Sequence, residues 1–152
     1  MHTVVFCATV VAEVSAFISL GGGIYETVVV NPYWPARPDI IQPNRGGINR
    51  KWFWIPAHTV FELSLLTGII AGWSEHSLRT WLLVGFGSHL TMRLWSAFDF
   101  IPKALAFERA EPGTINERAA RRWTRRSSGR FVLDAITCGA MLASLVTAVK
   151  LG

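Results

Sequence analysis

Apolar residues fall in four long runs separated by polar or proline-rich stretches: Thr3 to Val30, Trp52 to Trp73, Leu78 to Phe98, and Phe131 to Val149. A helix needs ~20 such residues to cross ~30 Å of hydrocarbon, and each run is near that length. The pattern predicts an all-α integral membrane protein in which the whole chain, 1–152, is a single four-helix bundle. Gly21, Gly22 and Gly23 lie late in the first run and predict a bend or a close helix contact. Asn31-Pro32 ends that run, and Pro35, Pro38, Pro43, Gly46 and Gly47 oppose regular structure before Lys51. The second and third runs are joined by a turn around 74–77, which makes them antiparallel neighbours. Further on, Pro112-Gly113 is a break. Thr114-Ile115-Asn116-Glu117 then reads as a capping box, in front of a short amphipathic cytoplasmic helix over about 115–127. The arginines of that helix and its Trp123 suit an anionic headgroup layer. Tyr33, Trp34, Trp52 and Trp54 fit the aromatic belt of a lipid interface.

Composition supports the same solvent. The chain is 51% hydrophobic and 16% charged, where a soluble domain carries about a quarter charged residues. The net charge of +5 does not point to nucleic acid, because the basic residues gather in two connections. With alternating spans, one side receives Arg37, Arg45, Arg50, Lys51, Lys103, Arg109 and the arginines from Arg118 to Arg130, and the other only Arg79 and Lys150. The positive-inside rule makes the first side cytoplasmic and puts both termini outside. The first run lacks a basic front, is long, and carries Glu13, so it reads as a span and not as a signal peptide. Cys7 and Cys138 have no Cys-x-x-Cys spacing and read as packing residues.

Ionisable side chains inside hydrocarbon are costly and are functional suspects by default. Here they are Glu13, Glu26, His58, Glu62, His89, Arg93 and Asp134. Counting inward at ~1.5 Å per residue puts Glu62 level with His89, His58 level with Arg93, and Glu26 level with Asp134. His58/Glu62 and His89/Arg93 are also i, i+4 pairs. The spacing predicts one polar column opening toward the cytoplasm, with Glu13 deeper. His58, Glu62, His89 and Arg93 are its candidate catalytic residues. Glu26, Trp95, Asp99 and Asp134 are expected around a hydrophobic small-molecule substrate, with Phe86 and Phe98 as further wall.

Three readings of the column stand side by side. Buried ion pairs can fix helix packing without chemistry. His58 and His89 can ligate a metal or haem iron, with Glu62 beside them. A His next to a carboxylate can also remove a proton while Arg93 stabilises the oxyanion, with no metal or other cofactor. Oligomeric state is open, a homo-oligomer included.

The punctuation of the chain resembles a known family. A Gly-rich first span closing in Val30-Asn31-Pro32, then Ile48-Asn49-Arg50, the start Trp54-Ile55-Pro56, and Trp123 with Arg130 before the last span resemble the DUF1772, anthrone oxygenase-like family. That resemblance implies a small four-span protein that oxidises polyketide anthrones to anthraquinones with molecular oxygen. For that chemistry His89 or His58 would be the base and Arg93 the anion partner, roles that come from the polar column and not from the family pattern. Asp99-Phe100-Ile101-Pro102 and the His58/Glu62 and His89/Arg93 pairs depart from the family pattern. The architecture is also similar to that of styrene oxide isomerases, which implies haem b on a His near the start of span two, here His58, and Lewis-acid isomerisation of lipophilic epoxides.

Overall fold

The computed structural model describes residues 2–151, and these form helices and turns with no strand; Met1 and Gly152 lie outside the described residues. Four long helices, α1 (His2–Tyr25), α2 (Lys51–Ala71), α3 (His76–Trp95) and α6 (Phe131–Val149), make the bundle. The short helices α4 (Ile101–Arg109) and α5 (Glu117–Ser127) stand at one end of it. Helix α1 packs along both α2 and α6, and α6 packs along α3, whereas α2 and α3 touch little. Near the turn joining them, Leu78 and Leu82 do reach Gly72 and Gly68.

Apolar side chains face both ways. Phe61, Leu65, Leu78, Leu82 and Met141 are fully buried in the core, while Val14, Phe17, Leu63, Ile70 and Val146 are exposed on the outside. An exposed apolar girdle of this extent fits a hydrocarbon solvent. Ala12 and Ala16 on α1 and Ala140 and Ser144 on α6 are buried between helices, small residues that let helix backbones approach. Core hydroxyls are spent on carbonyls one turn earlier: Thr9 on Val5, Ser64 on Val60, Ser144 on Ala140. The Ser88 hydroxyl instead crosses to the Leu133 carbonyl at 2.8 Å and ties α3 to α6. Three stretches are long and apolar enough to cross a membrane: His2–Val30, Lys51–Ala71 and Glu117–Val149. Helix α3 is not among them, because His76, Arg79, His89 and Arg93 lower its hydropathy.

Two helices end in the same unusual way. Glu26–Val30 after α1 and Ser96–Phe100 after α3 are π-helical turns, with the Asn31 N–H donating to the Glu26 carbonyl and the Ile101 N–H to the Ser96 carbonyl. Pro32 and Pro102 follow directly. A proline has no N–H and its ring clashes with the carbonyl four residues back, so the regular ladder cannot run through these points. The α1 glycines serve close approach, since Gly22 and Gly23 abut the rings of Phe53 and Phe131 and leave no room for a β-carbon.

Beyond the π-turns the chain forms a cap with its own core of Val30, Trp34, Ile41, Phe100, Ala120 and Trp123. Here the structure corrects the interfacial reading for Trp34 and Trp123, while Tyr33 and Trp52 stay exposed. Trp34 is completely buried, its ring 5.2 Å from Phe107 and 5.8 Å from Trp123, and its indole N–H donates to Asn31 at 3.0 Å. Trp123 is likewise turned inward, so α5 lays its apolar face on the protein and not on lipid, while Arg118, Arg122 and Arg125 stay exposed. The connection to Lys51 is ordered by two 3-10 turns, Pro38–Ile41 and Pro43–Arg45, and by the Gln42 amide, which donates to the Phe107 and Ala110 carbonyls at 2.9 and 2.8 Å. Gly46 takes φ +82° at its tightest point, a conformation that glycine reaches without a β-carbon clash. The capping box does not form. Asn116 caps α5 by accepting from the Ala119 N–H at 3.0 Å, Thr114 bonds to the Glu111 carbonyl, and Glu117 pairs with Arg121. An Asn one position before the helix is an N-cap at least as good as Thr, and it takes the role.

A cap core built on Trp34 predicts that Trp34→Ala destabilises the protein by about 3–5 kcal/mol, the usual cost of truncating a buried Trp. Thermal unfolding in detergent checks this; a loss within about 0.5 kcal/mol, as for an ordinary surface position, would return Trp34 to a lipid-facing belt.

Candidate functional site

The little contact between α2 and α3 leaves a gap, and the cap closes over it. A cavity of about 400 Å³ results. Its floor is the end of α1 (Gly23, Glu26) and the start of α6 (Phe131, Asp134). One wall is α2, with Trp54 and His58, and the other is α3 running into α4, with Met92, Arg93, Phe100 and Leu105; the cap adds Trp123 and Arg130. A second, much smaller cavity of about 10 Å³ lies deeper, lined by Ser19, His58, His89, Asp134 and Thr137 among others. His58 and Asp134 border both.

His58 is positioned by stacking. Its ring lies nearly parallel to that of Trp54, one turn earlier, at 19° and 5.5 Å between centroids, and 5.6 Å from the His89 ring. Its Nδ1 is buried without a protein hydrogen-bond partner, and it is the imidazole that lines the larger cavity. His89 is buried against Phe61 at 4.5 Å, and its Nε2 meets Glu62 Oε1 at 3.2 Å. The same carboxylate oxygen is ion-paired with Arg93 Nε at 2.9 Å. Glu62 and Arg93 therefore bridge α2 and α3, and their side chains are 39% and 38% exposed. Arg93 borders the cavity; Glu62 does not. The expected column is thus two groups: a Glu62/His89/Arg93 bridge across the α2–α3 seam, and a cavity wall with His58, Glu26 and Asp134. Two residues four apart on a helix are offset by about 40°. At a seam that is enough to turn His58 inward and Glu62 outward.

At the mouth, Arg50 is 11% exposed and donates to Glu26 at 2.9 Å and to Glu108 at 3.0 Å, with Lys51 also near Glu108 at 3.4 Å. Asp99 lies outside the cavity lining. The Lys103 ammonium beside it, together with Arg126, holds its carboxyl below the usual carboxylate range. Trp95 packs on Phe100 at 5.3 Å and is likewise not in that lining, Phe86 packs against the bundle core, and Phe98 is 82% exposed. Glu13 is buried with neither carboxylate oxygen partnered. Cys138 is buried as expected for packing, but Cys7 faces outward.

Among the described residues no three or more His, Cys, Asp or Glu side chains are arranged to hold a metal ion. The two-His-plus-carboxylate set does not assemble, because His89 and Glu62 bond each other while His58 faces the cavity. Arg130 is absent from the candidate site residues expected from the sequence, where it figures as a basic residue of a connection and as part of the family-like motif. It sits in the cavity wall and donates to Ser96 Oγ at 2.9 Å and Ser127 Oγ at 2.7 Å. Its position one residue before an apolar span is the signal that was there to read.

No protein-family model, no curated protein and no solved structure matches this chain. The likeness to the anthrone oxygenase-like family rests on the short motifs quoted above.

The seam geometry predicts coupling between Glu62 and Arg93. In a double-mutant cycle with Glu62→Gln and Arg93→Gln, unfolding in lipid nanodiscs should give an interaction energy of about 1 kcal/mol or more, within the range for residues in contact. A value near zero would mean that water, not lipid, screens the pair.

Proposed function

We propose that this chain is a four-span membrane enzyme that oxidises a lipophilic aromatic small molecule with molecular oxygen, as its family resemblance implies. The observation that carries the reading is the cavity itself, a largely apolar and aromatic chamber with an imidazole, His58, and the guanidinium groups of Arg93 and Arg130 on its walls. Support for α3 as the fourth span comes from its outward face, where Trp81, Leu83, Val84, Leu90 and Leu94 are exposed, and from the pairing of Arg93 with Glu62, which lowers the cost of a charge at that depth. The surplus of Arg and Lys in the cap makes it cytoplasmic, with both termini outside.

In this reading the substrate is an anthrone-type ketone with an acidic ring methylene. His58 takes a methylene proton, leaving an enolate whose negative oxygen lies against a guanidinium. The electron-rich carbon adds oxygen, the returned proton gives a hydroperoxide, and loss of water leaves the quinone: R₂CH₂ + O₂ → R₂C=O + H₂O. Exclusion of water strengthens the electrostatic part of this scheme. The lipid-facing gap between α2 and α3 suits entry of a substrate dissolved in the bilayer.

Purified protein given a hydroxyanthrone should consume one oxygen per anthraquinone formed, faster than autoxidation, and His58→Ala should lower kcat by about 10²–10⁴-fold while the protein still folds. A rate equal to autoxidation for the wild type, or full turnover by His58→Ala, would sink the proposal and leave a non-enzymatic subunit or binding protein. The haem-dependent isomerase alternative draws on the same His58. Under the oxidation reading the purified protein shows no Soret band; a Soret band lost in His58→Ala would put the isomerase in its place.

The orientation has its own check. In a Cys7→Ser/Cys138→Ser background, a membrane-impermeant maleimide should label Leu151→Cys on intact cells and Arg118→Cys only after lysis. The opposite pattern inverts the topology.

A further inference from the structure

The cations around the cavity differ in whether they are neutralised. Arg50 holds two carboxylates, Lys51 shares one of them, and Arg93 holds Glu62. Arg130, among the described residues, makes no ion pair. Its three hydrogen bonds go to neutral oxygens: Nε to the Ser127 carbonyl at 3.3 Å, one terminal nitrogen to Ser127 Oγ, the other to Ser96 Oγ. Phe100 lies under the guanidinium at 4.7 Å. A guanidinium has five N–H donors, so two remain free. Asp134, one turn further on and on the same cavity, does not bond to it.

A second donor is on the same cavity. The indole Nε1 of Trp123, a group that can only donate, is buried without an acceptor. Trp123 is 8% exposed, lines the same cavity, and meets Phe100 edge-on at 6.0 Å. Phe100 thus neighbours a guanidinium bonded only to neutral oxygens and an indole N–H without an acceptor. Asp134 and Glu26 are the carboxylates whose charge the guanidinium feels, and neither bonds to it. If Arg130 only cross-linked the end of α3 to the α5–α6 junction, neutral donors would serve as well.

We infer that Arg130 binds an ionised oxygen, with Trp123 as a second donor on the same cavity, so that the cavity selects a flat aromatic ligand carrying a carboxylate, phenolate or enolate. This rests on the reading of the cavity as a substrate site, and it replaces Arg93 by Arg130 as the anion partner. The guanidinium is already pinned by two serines and a ring, so little side-chain freedom is lost on binding. Charge-assisted hydrogen bonds are about twice as strong as neutral ones, which makes charge, more than shape, the basis of selection.

The test uses two ligands of the same shape. Anthracene-9-carboxylate and its neutral carboxamide are titrated by fluorescence anisotropy into the full chain in nanodiscs, corrected for partition into empty discs. The carboxylate should bind about 10-fold tighter or better. Arg130→Gln should bring the two affinities together by weakening only the carboxylate, and Trp123→Phe should lower the preference in part. Should Arg130→Gln fail to accumulate, Arg130→Lys reads the same point: it keeps the charge but not the fork, so the preference should fall several-fold with carboxamide binding unchanged. Equal binding of both ligands by the wild type, a preference left at its full size in either Arg130 variant, or equal weakening of both ligands would overturn the inference. A carboxylate preference with no turnover of any anthrone would keep the site and remove the oxidase; turnover with no charge preference would do the reverse.

Discussion

Arg50 reaches two carboxylates from different parts of the chain, Glu26 at the end of α1 and Glu108 at the end of α4, and the cap sits on the bundle through that link. All three side chains are nearly out of reach of solvent, 11–18% exposed. Loss of the guanidinium would leave Glu26 without its ion pair and Glu108 with Lys51 alone, and breaking a buried pair on one side is far more costly than never having built it. The interaction also explains where the cavity is. Helices α2 and α3 diverge from their common turn, and α4, which Arg50 holds through Glu108, lines the space between them together with Trp123 and Arg130.

Much of this arrangement is legible in the residues. The periodicity and length of α1, α2 and α6 announce helices, and the structure gives them bounds within a few residues of those expected. Counting depth along antiparallel helices also anticipated that Glu62 and His89 would meet. The same counting paired His58 with Arg93, which border one cavity without bonding, because depth says nothing about rotation around the helix axis. Helix α3 shows the opposite limit: its charges lower its hydropathy until composition alone no longer marks it, although its outer face is as apolar as its neighbours'.

The cap was the least legible part. A Trp near a membrane boundary satisfies two descriptions equally well, an amphipathic ring at the headgroups or a large side chain filling a core. Only long-range contacts decide between them, here Trp34 with Phe107 and Trp123. Arg130 was hidden for a related reason. Among so many arginines explained by membrane orientation, one on the cavity wall that bonds only to neutral oxygens looks like the rest until partners are assigned to each.

The two π-turns have a consequence for how the fold can change. Each holds one more residue than an α-helical turn of the same span, so everything after it is rotated by about 100° relative to an uninterrupted helix. Removing a single residue from Glu26–Val30 or Ser96–Phe100 would restore regular winding and swing the following segment, with Trp34 in one case and α4 in the other, away from the cavity. Length at these two points, rather than side-chain identity, is therefore the variable through which related sequences could reshape the chamber while keeping the bundle beneath it unchanged.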